Sequence, residues 1–370
     1  MIPVNRPSIP KKAKAYLSEC VRSGWFSSEG PFVARFENSF ARYLGVKYAS
    51  STSSGTAALH LALMALGVGP GDEVILPAMT IASCYFAVWY TGAKAMPVDV
   101  DEETYCINPD LIEKAITKRT KAIMVVHLFG HPCDMDPIMR IAKKHRIKVI
   151  EDAAEAHGAE YKGKKAGSIG DMAIFSFYAN KIVTTGEGGM VVSNNKKYID
   201  IVNKLKSLNH SKTRFIHDGI GYNYLMSNMQ AAVGLASLEE IDASIKKKRA
   251  MATYYTKQLQ NIPGLTLPIE KPWTKNVYWM YAVTINQKSA RSRDNVMKHL
   301  AATHGIQTRT FFYSPRTAFK KSGLYKTYRF PVAERLEKTG FYLPSGLGNS
   351  ISEFATTSRA LMHSSLSKTT

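Results

Sequence analysis

The amino-acid sequence predicts an α/β protein whose large domain contains a mostly parallel central sheet. Apolar, strand-like segments alternate with helix-like segments between residues 73 and 193. This alternation is typical of βαβ units, whose strands are covered by helices on both faces and are therefore apolar along their whole length. A long helical pattern then leads to a smaller α/β region. We therefore predict two domains, residues 1–245 and 246–370.

The first fifty residues predict two helices that precede the sheet. The segments "KKAKAYLSECVRSG" and "FVARFENSFARYLG" place apolar side chains at helical spacing, and each ends at a glycine. From Ser51 the pattern changes, because a serine- and glycine-rich turn opens the apolar helix of "SSGTAALHLALMALGV". That turn is the first place in the chain where a ligand-binding group is expected.

Six apolar segments predict the strands of the large domain: "EVILPA", "AKAMPVDV", "KAIMVVHLFG", "IKVIEDAAEA", "MAIFSFYA" and "GGMVVSN". The segments "NPDLIEKAITKRT" and "MDPIMRIAKKH" predict helices between them. Residues 226–260 predict one long connecting helix. In the smaller domain, "VYWMYAVTI" and "IQTRTFFYS" predict strands on either side of a helix at residues 292–305, and the end "SSLSKTT" predicts a frayed tail.

Composition and charge favour an ordinary globular protein. The chain has 370 residues, of which 45% are hydrophobic, and it contains no run of about 18 apolar residues that would span a bilayer. The net charge of +20 comes from scattered basic residues that form no nucleic-acid-binding motif, so we predict no nucleic-acid partner and instead a small anionic substrate. The four cysteines form no CxxC pair, which predicts no metal and free thiols in the cytoplasm.

The turn Ser54-Gly55-Thr56 predicts an anion site. It lies just before a helix, whose first amide groups are free and whose N-terminus carries a partial positive charge. Gly55 would let the backbone approach a phosphate closely, and Thr56 would add a hydroxyl donor. The alternative is that the turn serves only as a helix N-cap.

A carboxylate lies at the end of one of the predicted strands. Asp152 ends an apolar strand, and in a parallel sheet that position faces the ligand crevice, where it would pair with a cationic ring nitrogen. The alternative is an N-cap on the next helix. His157 is interpreted as a packed or turn histidine, because no metal-like spacing surrounds it.

Lys181 stands between the strand "MAIFSFYA" and the turn "TTGEGG". A lysine there is either a solvated surface charge or an amine held in a partly apolar cleft, where it loses proton affinity and becomes a nucleophile for carbonyls. Ser176, five residues earlier, would donate to a phosphate. A phosphate site, a carboxylate for a ring nitrogen and a reactive amine together match pyridoxal phosphate, which has a phosphate, a basic ring and an aldehyde.

The sequence resembles the nucleotide-sugar aminotransferases of the DegT/DnrJ/EryC1/StrS family over nearly its whole length. The resemblance is carried by "GWFSSEGPFVARFE", "SSGTAALHLAL", "GDEVILPAMT", "VVHLFGHPCDMD", "GYNYLMSNMQAAVGL" and above all by the stretch from "IEDAAEAHGAEYKG" to "IFSFYANKIVTTGEGGMVVSN". Within the family, "GWFSSEGPFV" and "VVHLFGHPCDMD" look most like the GDP-perosamine synthases. The resemblance implies a type I pyridoxal-phosphate-dependent aminotransferase fold and a homodimer with shared active sites.

The family's functional residues transfer onto positions of this chain that match its motifs. Lys181 matches the lysine that forms a Schiff base with the cofactor, Asp152 the partner of the ring nitrogen, and Glu155 a residue near the ring hydroxyl. The phosphate contacts match Gly55, Thr56 and Ser176, and Asn223 matches a residue that reaches the phosphate in the partner subunit. A lysine at 181 favours transamination over the 3-dehydratase branch, which carries histidine there.

Two positions depart from the family pattern. Where relatives have an aromatic residue that stacks on the cofactor ring, this chain has Ile81, so either an aliphatic side chain covers the ring or Tyr85 substitutes. Leu225 stands in place of an arginine, which bears on amino-donor handling. The segment "FFYSPR" matches relatives less closely, and we expect it to face the sugar.

The resemblance implies transfer of an amino group from L-glutamate to a nucleotide-linked 4-keto-6-deoxy sugar, with GDP-perosamine as the expected product. UDP- or dTDP-linked viosamine is the alternative product. A non-catalytic regulator that binds pyridoxal phosphate is the alternative from a different functional class.

Overall fold

The computed structural model describes residues 1–213, 215–286 and 292–364. Helices there are α1 (Ala13–Ser23), α2 (Pro31–Leu44), α3 (Gly55–Ala65), α4 (Ala82–Tyr90), α5 (Pro109–Ala115), α6 (Met135–His145), α7 (Lys196–Lys206), α8 (Asn228–Leu238), α9 (Ile241–Leu259), α10 (Arg293–His304), α11 (Pro315–Ala318), α12 (Pro331–Thr339) and α13 (Ile351–Met362).

The strands within the same residues are β1 (Tyr48–Thr52), β2 (Glu73–Pro77), β3 (Lys94–Val98), β4 (Thr120–Val126), β5 (Lys148–Asp152), β6 (Glu160–Tyr161), β7 (Lys164–Lys165), β8 (Met172–Ser176), β9 (Gly189–Ser193), β10 (Leu265–Thr266), β11 (Thr274–Lys275), β12 (Tyr281–Ile285), β13 (Arg309–Thr310) and β14 (Gly340–Leu343). All six strands predicted for the large domain are present.

A seven-stranded sheet, in the order β1-β9-β8-β5-β4-β2-β3, forms the centre of the larger region. Strands β8, β5, β4, β2 and β3 pair in parallel, whereas β9 is antiparallel to both of its neighbours, β8 and β1. Strands β2 and β9 are buried along their whole length, because helices cover both faces. The prediction of a mostly parallel central sheet is therefore confirmed.

The helices of the N-terminal region pack on this sheet through apolar faces at helical spacing. In α2, Phe32, Phe36 and Phe40 lie one turn apart and are buried, and the helix begins with Pro31 and ends at Gly45 in the left-handed region. Proline at the first position and glycine after the last one are favourable because proline has no amide to satisfy and glycine tolerates positive φ. The predicted helix boundaries agree with α1 and α2 to within two residues.

A second, smaller core lies in the C-terminal region. Its buried members all fall between Met251 and Leu361, around the four-stranded sheet β10-β12-β14-β13. The predicted boundary at residues 245 and 246 falls inside α9, and the division into two domains stays a prediction. The N-terminal segment lies against this C-terminal region, since Ile2 pairs with Ile306 and the amide of Ser345 donates to Val4.

Three segment predictions differ from the structure. The helix predicted over 226–260 is two helices, because the chain turns at Glu239–Glu240 between α8 and α9. The strand predicted at 277–285 begins only at Tyr281, and residues 277–280 instead form a loop. The strand predicted at 306–314 shortens to β13. Of the predicted tail, residues 365–370 lie outside the described residues.

Candidate active site

The carboxyl edge of the large sheet carries most of the predicted site residues. The α3 turn follows β1, Asp152 is the last residue of β5, and Ser176 is the last residue of β8. These strands point the same way, so their ends meet at one edge. A cleft of about 340 Å³ opens there, and seven of the eight predicted residues line it: Ser54, Gly55, Thr56, Asp152, Glu155, Ser176 and Lys181.

Lys181 is a buried amine and not a solvated surface charge. Its side chain is 9% exposed, and Nζ lies 3.5 Å from Oε1 of Glu155. Burial lowers the pKa of Lys181, while the carboxylates of Glu155 and Asp152 oppose that shift. A buried amine with lowered proton affinity has the property that attack on an aldehyde requires.

Glu155 is held in place on its other side by a backbone amide. Its Oε2 accepts a hydrogen bond of 2.8 Å from the amide of Phe129, in the turn that follows β4. Burial raises the pKa of Glu155 to about 6, although the charge of Lys181 and the Phe129 amide both favour the ionised form. The carboxyl group therefore titrates close to neutral pH while it faces the lysine.

Asp152 presents a buried carboxylate to the cleft. Oδ1 accepts from the amide of Ala154 at 3.0 Å, and Oδ2 accepts from the thiol of Cys84 at 3.2 Å. Burial raises the pKa of Asp152, and the Ala154 amide, the Cys84 thiol and the charge of Lys181 oppose this shift. No helix begins directly after Asp152, where the chain forms turns, so the N-cap alternative is wrong and the carboxylate instead closes a turn.

The α3 turn is a helix N-cap, and its geometry also suits an anion. Ser54 is the N-cap of α3, because its side chain accepts from the amide of Ala57 at 3.1 Å. A Cβ atom at Gly55 would lie only 2.8 Å from Cβ of Ser176, so the glycine lets the end of β8 approach the helix N-terminus. The Ser176 hydroxyl and the first amides of α3 thereby come together as donors for one anion.

These groups fit pyridoxal phosphate. The donors beside Gly55 suit its phosphate. The buried carboxylate of Asp152 accepts hydrogen bonds only from one backbone amide and one weakly donating thiol among the described residues, so it suits a protonated ring nitrogen. Lys181 lies in the same cleft as the amine that its aldehyde requires. Each part of the cofactor thus has a matching group among the described residues.

Comparison with known proteins supports this fit. The model of the DegT/DnrJ/EryC1/StrS aminotransferase family matches residues 7–353. This chain is a member of that family. Its cofactor is pyridoxal phosphate, and it is a sugar aminotransferase with the type I fold, as predicted.

Individual relatives are similar over almost their whole length. The chain is 46% identical over 345 residues to a GDP-perosamine synthase of Escherichia coli O157:H7, covering 93% of each protein. It is 42% identical to a GDP-perosamine synthase of Caulobacter vibrioides, covering 94% of each. Among solved structures, DesV of S. venezuelae superposes with a TM-score of 0.89 at 33% identity, covering 96% of this chain and 98% of that one.

Asn223 is the one predicted site residue that lies outside the cleft. It is exposed, and its backbone pairs with Ser207 at the end of α7. Its predicted role at the partner subunit's phosphate stays a prediction. Leu225, at the position of the missing arginine, is half-buried two residues further on.

The structure favours Ile81 over Tyr85 as the cover of the cofactor ring. Ile81 is 43% exposed and lines the cleft. Tyr85 is buried, packs its ring 5.2 Å from that of Phe319, and donates its hydroxyl to the carbonyl of Pro77. The Tyr85 ring is thereby committed to the protein interior.

His157 is a core histidine, as predicted. Its ring lies 5.3 Å from Phe175 and 5.8 Å from Phe177. Neither ring nitrogen has a hydrogen-bond partner among the described residues, and burial together with the charge of Lys181 lowers its pKa to about 3. A neutral, apolar role follows.

Sequence reasoning missed three residues that line or support the cleft. Trp279 places its ring centroid 3.8 Å from Nζ of Lys181, Cys84 donates to Asp152, and Arg309 enters the cleft from β13. The sequence predicts a strand at Trp279 and a free thiol at Cys84, and neither prediction indicates a role in the cleft. No local pattern marks these residues, because each reaches the site through tertiary packing.

A buried pair of side chains, His127 and Glu151, stabilises the end of β5 next to Asp152. The amide of Cys133 donates to Nδ1 of His127, so the proton of this imidazole lies on Nε2 and is donated to Glu151 at 3.0 Å. Burial would raise the pKa of Glu151, but His127 and the amides of Gly170 and Gly167 outweigh it and lower that pKa. The strand end that carries Asp152 is thus fixed by a fully hydrogen-bonded network.

Proposed function

We propose that this enzyme transfers the amino group of L-glutamate to C4 of a GDP-linked 4-keto-6-deoxy sugar and forms GDP-perosamine. The identities of 46% and 42% to two GDP-perosamine synthases support the product. A net charge of +20 supports an anionic substrate, which it would attract at long range. The UDP- and dTDP-linked substrates that give viosamine are the second candidates.

The observation that carries the proposal is the buried amine of Lys181 in one cleft with Asp152 and the α3 turn. Bound pyridoxal phosphate supplies an aldehyde that carries the amino group and a ring that accepts electrons. Lys181 would take and return a proton at Nζ as general base and acid. Its Nζ is 3.5 Å from Glu155, which keeps the amine directed into the cleft.

The other residues would bind and orient. Asp152 would hold the proton of the ring nitrogen, and Glu155 would lie near the ring hydroxyl. Ser54, Gly55, Thr56 and Ser176 would bind the phosphate through backbone amides and hydroxyls. Ile81 would cover the ring and exclude water from one face.

We also propose a homodimer in which Asn223 of each subunit reaches the phosphate of the other active site. Asn223 is exposed, and the neighbouring segment exposes Leu208, Ile216 and Ile220 at 44%, 55% and 79%. Exposed apolar side chains in one segment are typical of an interface. We place the enzyme in the cytoplasm, which suits its four free, buried cysteines.

The first test is turnover with purified protein loaded with pyridoxal phosphate. We expect glutamate-dependent amination of GDP-4-keto-6-deoxymannose in preference to the UDP- and dTDP-linked 4-keto-6-deoxy sugars. The variant Lys181→Ala should lose activity by at least about 10³-fold and should carry no cofactor on residue 181 in mass spectra after borohydride reduction. Lys148→Ala, in a partly exposed ion pair with Asp171 outside the cleft, is the matched control.

The outcomes separate the candidates. Preference for a UDP- or dTDP-linked sugar would replace GDP-perosamine by viosamine as the product. Turnover of no sugar, together with salt-sensitive binding of nucleic acid, would favour the non-catalytic regulator. Transamination by Lys181→Ala at the wild-type rate would contradict the assignment of the reactive amine.

A further inference from the structure

The tryptophan beside Lys181 is distant from it in sequence, because it follows α9 whereas the lysine follows β8 of the large sheet. Trp279 lies two residues before β12, is 4% exposed, and places its ring centroid 3.8 Å from Nζ of Lys181. A cation within about 6 Å of an indole face is attracted by the negative charge of that face. The contact is also desolvated, and this strengthens it.

One hydrogen bond fixes the indole in this position, and a second one fixes the carbonyl that accepts it. Its Nε1–H donates to the carbonyl of Asn180 at 2.9 Å, the residue that directly precedes Lys181. The side chain of Asn5 donates to the same carbonyl at 3.3 Å. The turn that presents the lysine and the ring that covers it are therefore tied to each other.

A buried ammonium holds the backbone of the tryptophan. Lys248 of α9 is 3% exposed, and its Nζ donates to the carbonyl of Trp279 at 2.6 Å and to the carbonyl of Ser345. Burial lowers the pKa of Lys248 to about 7. Burying an amine is costly, and here both of its partners are carbonyls of the segments that shape this wall of the cleft.

We propose that Trp279 is a positioning residue that fixes the amine of Lys181 and favours its protonated form, and that Lys248 anchors it. The inference concerns Lys181 itself and goes beyond the assignment of substrate. The charged and titratable groups that interact with Nζ are Glu155, Asp152, Cys84 and His157. The same cleft is also lined by Tyr178, Glu187, Arg309 and Tyr342, and Glu240 and Lys248 line a small cavity that Lys181 also lines. Trp279 adds an attraction for the proton without adding another acid.

The test measures the proton affinity of Lys181 in the full chain without cofactor. Trace acetylation by acetic anhydride at a series of pH values, followed by mass spectrometry of the peptide that contains Lys181, gives the midpoint of its titration. Trp279→Leu keeps the amine buried but removes the π face, and we expect the midpoint to fall by roughly one pH unit. Trp279→Phe keeps an aromatic ring whose π face attracts cations more weakly, so its Lys181 midpoint should lie between those of the wild type and Trp279→Leu.

Two further variants complete the design. Lys248→Met leaves the indole in place but frees its backbone, and it should lower the midpoint by less than Trp279→Leu does. Trp273→Phe is the matched control, because Trp273 packs on Tyr161 and His131 and does not line the cleft. The midpoint of Lys181 in this variant should equal that in the wild type. Circular dichroism establishes which variants are folded.

A midpoint that is unchanged in Trp279→Leu, or that shifts equally in Trp273→Phe, would overturn the proposal. A purely structural role, in which the substitution only admits water to the amine, would leave the midpoint unchanged or raise it, because burial is what lowers the pKa of Lys181. If Trp279→Leu does not fold, a wild-type midpoint in Trp279→Phe overturns the proposal instead. The measurement uses neither cofactor nor substrate, so its outcome is independent of the proposed sugar and product.

Discussion

At the scale of single residues, the site depends on ionisable groups taken out of water. Asp152 and Glu155 are buried carboxylates, and Lys181 is a buried amine that lies 3.5 Å from Glu155. Burial disfavours each charged form, so the pKa values of the acids rise and that of the amine falls. Burial therefore narrows the difference in pKa between the amine and the two carboxyl groups.

The Glu155 carboxyl group gives a pH-dependent prediction for stability. Its pKa of about 6 lies above its ordinary value of 4.5, so the folded state binds more protons between these pH values. The stability that Glu155 contributes is therefore full below pH 4.5 and is lost as the pH rises through 6. In the cofactor-free protein, Glu155→Gln should remove this loss, which amounts to roughly 2 kcal/mol.

Denaturant unfolding at pH 4.5 and pH 7 measures the effect as a difference between variant and wild type, which cancels other groups such as His157. Glu29→Gln, at an exposed position, is the control and should follow the wild-type curve. A Glu155→Gln curve parallel to that of the wild type would contradict the raised pKa.

At the scale of elements, the anion site depends on the close approach of α3 and β8. Helix α3 supplies free amides because Ser54 starts it, and β8 ends in a hydroxyl directly beside it. Gly55 allows the contact, since a Cβ atom there would lie 2.8 Å from Ser176 Cβ and 3.2 Å from its Oγ. The proposed phosphate site would thus be a property of the packing between two elements.

Gly55→Ala should therefore weaken cofactor binding through steric conflict. We expect the dissociation constant of pyridoxal phosphate to rise about tenfold or more, with a loss of roughly 1–3 kcal/mol of stability. The matched control is Gly69→Ala, where an added Cβ meets no atom within 4 Å. Fluorescence titration with pyridoxal phosphate measures the affinity, and equal affinities for both variants would contradict the predicted contact.

At the scale of the whole molecule, the wall of the cleft is shared between regions that are distant in sequence. Trp279 and Arg309 reach the cleft from the C-terminal region, and Lys248 of α9 holds Trp279. None of the helices in the described residues is long and apolar enough to cross a membrane. In the proposed dimer, Asn223 of the other subunit would add one more group to each active site.

Mixing two inactive variants tests the shared active site. Lys181→Ala and Asn223→Ala should each lose activity, but a mixed dimer holds one site with both native residues. Unfolding and refolding an equal mixture should restore activity in about one quarter of the sites, as expected from random pairing. The exposed Asn261→Ala is the control and should be active without mixing. A refolded mixture without activity would contradict the exchange of Asn223 between subunits.

Much of the site was predictable because its residues stand at strand ends and helix starts, which local sequence marks. Ser54, Gly55, Asp152 and Ser176 each occupy such a position, and the structure brings them to one edge. Asn223 was not predictable from spacing and came only through the family resemblance. Trp279 was read as part of a strand, since an apolar run does not show where its pairing begins.

The sequence by itself determined the class of fold and the cofactor, and it predicted the position of the reactive amine, because strand periodicity, helix starts and the family motifs are local properties of the chain. Only the tertiary structure decided what surrounds that amine. Trp279, Cys84 and Lys248 come from distant segments, and burial and hydrogen bonding act through space. The proton affinity of Lys181 is therefore set by packing, which no local pattern of residues records.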